Sequence, residues 1–229
     1  MNLYNQQRPL IDRFLAEKPG NIADLGAGQG YHSRHFVESG CRVLAIDRAF
    51  TPAVRELSAR RPDRCRCLQA DLARLPLRDG GLEAIWASHC LEHFENPLAV
   101  LREWRRVLRP GGLLAVAVPP YKSQIVGRHV FTGWNVGQLM ITLLRAGFAI
   151  RHGAYAREGY NVFALVRRMD PPVSLEPNDE ILCRHHGLFP PPIEQEILEQ
   201  RRHNDFGETI SCFEGDLRRV GWDQPGGAR

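Results

Sequence analysis

A chain of 229 residues, 43% of them hydrophobic, has enough apolar material for one α/β domain with a decorated end and too much for a disordered chain. Its net charge of +4 comes from 30 basic and 26 acidic residues with no single basic block, so pairs such as Arg60-Arg61, Arg105-Arg106 and Arg201-Arg202 read as solvated faces and nucleic acid is not an expected partner. No apolar run approaches the roughly 20 residues of a membrane helix, and the polar opening Met1 to Gln7 lacks a signal-peptide core, so a cytoplasmic protein with no membrane span is expected.

Leu3, Leu10, Ile11, Phe14 and Leu15 predict a helix over 3–18, stopped by Lys18-Pro19-Gly20. Asn21 to Leu25 is a short strand that runs into a glycine-rich turn. A helix follows through Phe36 to Ser39 and closes at Gly40. Cys41 to Asp47 is the second strand, and Thr51-Pro52 opens the next helix as cap and first-turn residue. Arg64 to Ala70 is the third strand, ending at Asp71, and Leu82 to Ala87 is the fourth. Asn96-Pro97 starts a helix whose apolar positions Leu98, Leu101, Trp104, Val107 and Leu108 repeat at three and four; Arg109-Pro110-Gly111-Gly112 ends it. Leu113 to Val118 is a continuous apolar run, as a buried parallel strand requires.

Residues 122–137 hold glycines and aromatics without a clear period. Helical spacing returns at Leu139, Leu143 and Leu144, and Phe148 to Ile150 and Asn161 to Val166 are the last two strands. This alternation predicts an α/β fold: a doubly wound, mostly parallel, seven-stranded Rossmann-like sheet with helices on both faces over residues 1–168. Within it, 122–140 is expected to be a substrate lid. Residues 169–229 are expected to form a tail, partly helical near 193–203, that packs on the core or on a partner. Phe206, Phe213 and Trp222 in that tail leave a homodimer open. The six cysteines include Cys65-Arg66-Cys67, which lacks the spacing of a zinc knuckle, and His185-His186 matches no ligand pattern, so no metal is expected.

The chemistry-bearing positions fall at strand ends. Asp24-Leu25-Gly26-Ala27-Gly28-Gln29-Gly30 lies between a strand and a helix, where glycines let the backbone turn sharply and approach a ligand. A nicotinamide fingerprint would place glycine or alanine where Tyr31 stands. Asp47, with Arg48 beside it, ends the second strand, where a carboxylate can accept both hydroxyl protons of a ribose. Asp71 and Leu72 close the third strand, and Ser88 and His89 the fourth. The block Ala87-Ser88-His89-Cys90-Leu91-Glu92-His93-Phe94, with Leu101 through Leu114 after it, completes the series.

Together these motifs, spanning 21–118, resemble class I S-adenosylmethionine-dependent methyltransferases, and within them the type 11, ubiquinone-biosynthesis-like, small-molecule family. The resemblance implies S-adenosylmethionine as cofactor, bound by Asp24, Gly26, Ala27, Gly28, Asp47, Arg48, Asp71, Leu72, Ser88 and His89, with Tyr4 of the leading helix over the pocket. It implies that Asp71 accepts from the adenine amino group and that the Leu72 N–H reads the ring. The run Gly127-Arg128-His129 to Trp134, with Ala146-Gly147-Phe148 and Tyr160-Asn161-Val162, resembles methyltransferases associated with bacterial surface-polysaccharide synthesis. It implies a glycan-like acceptor. Arg128, Trp134 and Tyr160, in the segments expected to carry specificity, and Tyr121, after the fifth strand, are the candidate substrate residues, and a sugar or phosphate-bearing acceptor suits Arg128 and Trp134. Pro119-Pro120-Tyr121 follows the fifth strand and begins after Val118, so it is not the motif of amino-directed DNA methyltransferases.

A hydroxyl acceptor needs a base of near-neutral pKa. His89, at the end of the fourth strand, is the first candidate, His93 one turn on is the second, and His129 in the lid is the third. The expected reaction is methyl transfer to an oxygen of a small or glycan-like molecule. Methylation of nitrogen or carbon on a small metabolite, or a cofactor-binding module acting through a partner without turnover, are the alternatives.

Overall fold

The computed structural model describes residues 7–123, 127–176, 180–203 and 209–222. Chain order is α1 (Arg8–Ala16), β1 (Asn21–Leu25), α2 (Tyr31–Glu38), β2 (Arg42–Asp47), α3 (Pro52–Arg60), β3 (Cys65–Gln69), β4 (Leu82–Ser88), α4 (Pro97–Val107) and β5 (Leu108–Val118). After it come α5 (Val136–Arg145), β6 (Phe148–Glu158), β7 (Asn161–Arg168), α6 (Ile181–Arg184), α7 (Pro191–Glu199), β8 (Arg202–His203), β9 (Thr209–Ile210) and β10 (Arg219–Val220). No helix among the described residues is long and apolar enough to cross a membrane.

The main sheet is ordered β10-β6-β7-β5-β4-β1-β2-β3. β1 to β5 are mutually parallel, and β7 runs antiparallel to both β5 and β6. Alternate residues feed opposite faces. Ala23, Leu25, Ile85 and Ala87 join α4 and α5 in one core, while Ile22, Ala84 and Trp86 join α1 and α2 in the other. The doubly wound architecture is therefore as expected. Local chemistry agrees with it at α4: the Asn96 side chain accepts the Ala99 N–H at 3.0 Å, Pro97 opens the helix, and Val100, Leu101, Trp104 and Val107 are buried.

Three details differ from the sequence expectation. The sheet has eight strands, not seven, because β10 from the tail adds to the edge of β6 through Arg219↔Ala156 and Val220↔Tyr155. A two-residue strand has no period to reveal it. β5 begins at Leu108 rather than Leu113: Leu82 pairs with Leu108 and Ala84 with Leu113, so Arg109 to Gly112 bulge out between two paired positions. Pro110 has no N–H to give, and Gly111 at φ 68° takes the left-handed turn this needs. β6 continues to Glu158 because Arg151-His152-Gly153, which looks like a turn, is a bulge inside the strand. The Tyr155 hydroxyl folds back there to donate to the Ile150 carbonyl at 3.0 Å, and a Cβ on Gly153 would lie 2.4 Å from that hydroxyl.

Candidate active site

After β1 the chain moves outward to β2 and β3, then returns to β4 and β5 on the other side of β1. The order reverses between β1 and β4, and the crevice beyond their carboxyl ends is where open α/β sheets take ligands. The turn after β1 occupies that crevice. Gly26, Gly28 and Gly30 all have positive φ, between 50° and 74°. A Cβ on Gly26 would sit 2.9 Å from the Cys90 Cβ, and one on Gly30 would sit 2.6 Å from a Val54 methyl, so these two glycines close against the protein. A Cβ on Gly28 would meet nothing nearer than 3.7 Å. Its backbone is the part of the turn left open to a ligand. Asp47, at the end of β2, accepts the Gly28 N–H at 2.9 Å through Oδ2 and so fixes the turn and the carboxylate together.

Asp24 lies beneath the turn rather than in it. It is buried, and Ser33 of α2 donates to its Oδ2 at 2.5 Å. Burial lifts its carboxyl from an ordinary 3.8 to about 6, with the Ser33 hydrogen bond opposing. Between those values the folded state holds a proton that the unfolded state has released, so this group's contribution is full below about pH 4 and is lost as pH rises through about 6. Asp24→Asn keeps an acceptor for Ser33 and removes the titration. Urea unfolding of the two proteins at about pH 4 and about pH 7 should show the asparagine form gaining up to about 3 kcal/mol on wild type at the higher pH. An unchanged difference would mean that the carboxyl is not held in this environment.

Asp71 accepts the Ala73 N–H at 3.0 Å and pairs with Arg48 at 3.3 Å, which ties the ends of β2 and β3. The Ala73 hydrogen bond, then Arg48, hold its carboxyl below the usual range. The segment after Asp71 is clamped from α4. Trp104 Nε1 donates to the Leu72 carbonyl at 3.0 Å, Glu103 accepts the Leu75 N–H at 2.7 Å, and Arg106 donates to the carbonyls of Leu75 and Leu77.

Beyond β4, His89 holds a left-handed backbone at φ 51°, fixed by its N–H bond to the Ala117 carbonyl at 2.9 Å. Its two ring nitrogens have different neighbours. Nε2 meets Asn161 Oδ1 at 2.8 Å, an oxygen that also accepts from Gln7 Nε2 at 3.1 Å, so Nε2 is the donor. Nδ1 lies 3.4 Å from Glu92 Oε1, and the ring stacks on Tyr160 at 5.7 Å. His93 is placed differently. Its Nδ1 donates to the Arg128 carbonyl at 2.7 Å, while Nε2 lies 4.0 Å from Glu92 Oε1 on a side chain that is 43% exposed. His129 meets His93 edge-on at 5.5 Å, and burial, with His93 and His89 adding to it against Glu92, lowers its pKa. Glu92 is buried, and neither carboxylate oxygen receives a hydrogen bond of good geometry. Among the described residues, no cluster of three or more His, Cys, Asp or Glu side chains is arranged to hold a metal.

Ser88 donates to Gln7 Oε1 at 3.0 Å, and His32 shares that oxygen at 2.7 Å. Burial lowers His32 to about 4, so the ring is neutral. Gln7, Asn161 and His32 make this network, and none of them is among the expected site residues. The donors and acceptors that converge on Gln7 are the signal for it, and only the fold brings them together. Of the other expected site residues, Ala27 is buried beside Ala45 and Val54 in the turn. Tyr160 packs on His89 with Lys122 Nζ 3.9 Å from its ring centroid. Tyr121 and Arg128 are exposed. Trp134 is fully buried against Phe131 at 4.4 Å, within the main core. Tyr4 lies outside the described residues.

Residues 23–116 match the family described as methyltransferase domain. The chain is 38% identical over 118 residues to a demethylmenaquinone methyltransferase of Beutenbergia cavernae, covering 50% of this chain and 48% of the relative. A malonyl-[acyl-carrier protein] O-methyltransferase of Laribacter hongkongensis is 31% identical over 173 residues, covering 62% of this chain and 57% of that protein. The chain thus spans about half the length of these curated relatives. Among solved structures, the 1,6-didemethyltoxoflavin-N1-methyltransferase of Burkholderia thailandensis superposes with a TM-score of 0.64 at 21% identity, covering 72% of this chain and 79% of that one. At that identity the chain shares its fold.

Proposed function

We propose that this chain transfers a methyl group from S-adenosylmethionine to an oxygen of a small or glycan-like acceptor. The observation that carries the proposal is the pairing of two features on neighbouring strands: the open Gly28 backbone with Asp47 beside it, and the histidine cluster around buried Glu92 beyond β4. The donor set fits the cofactor. Gly28 leaves room for close backbone approach, Asp47 can accept both ribose hydroxyls, and Asp71 can accept an adenine amino group. When bound, S-adenosylmethionine supplies a methyl on a positively charged sulfur, which leaves as a neutral thioether as the acceptor oxygen's electron pair forms the new C–O bond.

The chain's own task is to orient the acceptor and take its proton. His93 suits the second role better than His89. The Arg128 carbonyl holds the hydrogen on His93 Nδ1, which leaves the lone pair on the more exposed Nε2. Once Nε2 takes the acceptor's proton, the buried Glu92 carboxylate faces a positive ring. His89, held at Nε2 by Asn161 and stacked on Tyr160, is a positioning residue beside Glu92. Tyr160 and Tyr121 are proposed as walls for the acceptor, with Arg128 at the rim and His129 beside His93.

Calorimetry tests the binding half. Wild type should bind S-adenosylmethionine and not a nicotinamide dinucleotide. Asp47→Ala should weaken binding by about 1.5–3 kcal/mol, roughly 10–150-fold, through lost charge-assisted hydrogen bonds. Unchanged affinity in a folded variant would remove Asp47 from the ribose site.

A further inference from the structure

The outer strands hold a second concave site, towards the opposite end of the sheet from the glycine turn. An open hollow lies between α1, the β6 bulge and the tail, walled by Arg13, Arg151, His152, Arg219, Trp222 and the proline run 190–192. Helix α1 begins beside Gln7, which touches Ser88 at the carboxyl edge, and by Arg13 it has travelled roughly 9 Å towards the amino edge. A smaller hollow adjoins it and shares Arg13 and His152.

Among the described residues no carboxylate lines the larger hollow, whereas Glu17 lines the smaller one. Arg151 is balanced by Glu194 at 2.7 Å, and Arg219 lies 3.8 Å from Glu158. Arg13 has a buried Nε that donates to nothing among the described residues. A buried guanidinium N–H without an acceptor is costly, and cations on a concave, low-dielectric wall focus a positive potential. An anion in the hollow can accept from the guanidinium groups of Arg13 and Arg219 that line it, and a phosphate suits the guanidinium fork. The remaining wall is apolar and flat. Trp222 packs on Phe163 with ring centroids 6.4 Å apart, and residues 190–192 line the same hollow.

We propose that this hollow binds a phosphomonoester that carries a flat apolar group, at a site separate from the methyl-transfer crevice. The test uses phenyl phosphate as the probe and tryptophan fluorescence as the signal, because Trp222 is only partly buried while Trp86, Trp104 and Trp134 are fully buried. Phenyl phosphate should change the emission saturably, phenol should not, and inorganic phosphate should compete more weakly. Arg13→Gln and Arg219→Gln should each weaken phenyl phosphate at least about tenfold while S-adenosylmethionine binding stays unchanged. Trp222→Leu, followed by calorimetry, should abolish the preference for phenyl phosphate over inorganic phosphate. The proposal is overturned by absence of saturable binding, by wild-type affinity in both arginine variants, or by displacement of the probe with saturating S-adenosylmethionine.

Discussion

His93→Gln should lower turnover by about 10²–10⁴-fold while S-adenosylmethionine affinity changes by less than about threefold. The imidazole has one nitrogen held by the Arg128 carbonyl and the other exposed near Glu92, so the substitution removes the proton acceptor and leaves the Gly28 and Asp47 cradle intact. Glutamine can still donate to the Arg128 carbonyl, which separates loss of the base from loss of the contact. Glu92→Gln should also slow turnover, by removing the carboxylate that faces the ring. Wild-type turnover in His93→Gln, with a measurable rate for the acceptor in hand, would transfer the role of base to another group.

Trp104→Ala should destabilise the fold by about 3–5 kcal/mol, read as a lower urea midpoint. The side chain is fully buried in the main core, and its Nε1 also holds the Leu72 carbonyl. Two effects therefore add: a large cavity, and an orphaned carbonyl next to Asp71. Trp104→Phe separates them, since it keeps much of the packing and loses the hydrogen bond, for about 1–3 kcal/mol. That variant should also weaken S-adenosylmethionine binding, because the segment following Asp71 loses one of its three anchors on α4. Full affinity in Trp104→Phe would show that the clamp is not needed for binding.

The repeating parts of the fold are legible from the sequence because each strand and helix carries its own period and its own stop. Asn96-Pro97 opens α4 where the cap chemistry places it, and the glycines after β1 sit where the backbone has positive φ. The parts that escape the sequence depend on contacts made at long range. The β6 bulge needs Tyr155 to fold over Gly153, and β10 exists only because β6 offers a free edge. The site divides in the same way. Asp47 and Asp71 announce themselves by ending strands. Gln7 and Asn161 do not, being 154 residues apart in sequence and joined only by a buried amide contact. Asp24 shows the limit of a motif: its place before the glycine turn suggests a ligand contact, whereas its carboxyl lies buried under Ser33. His89 shows another, since position at a strand end cannot reveal that Nε2 is already taken by Asn161.

The most direct measurement follows labelled methyl groups from S-adenosylmethionine into a cell extract fractionated by size and polarity, with wild type and Asp47→Ala run side by side. Methyl transfer to a small or glycan-like acceptor predicts label in a polar, low-mass or glycan fraction, linked through oxygen, and strongly reduced with Asp47→Ala. Cofactor binding without label above the Asp47→Ala level in any fraction would contradict it.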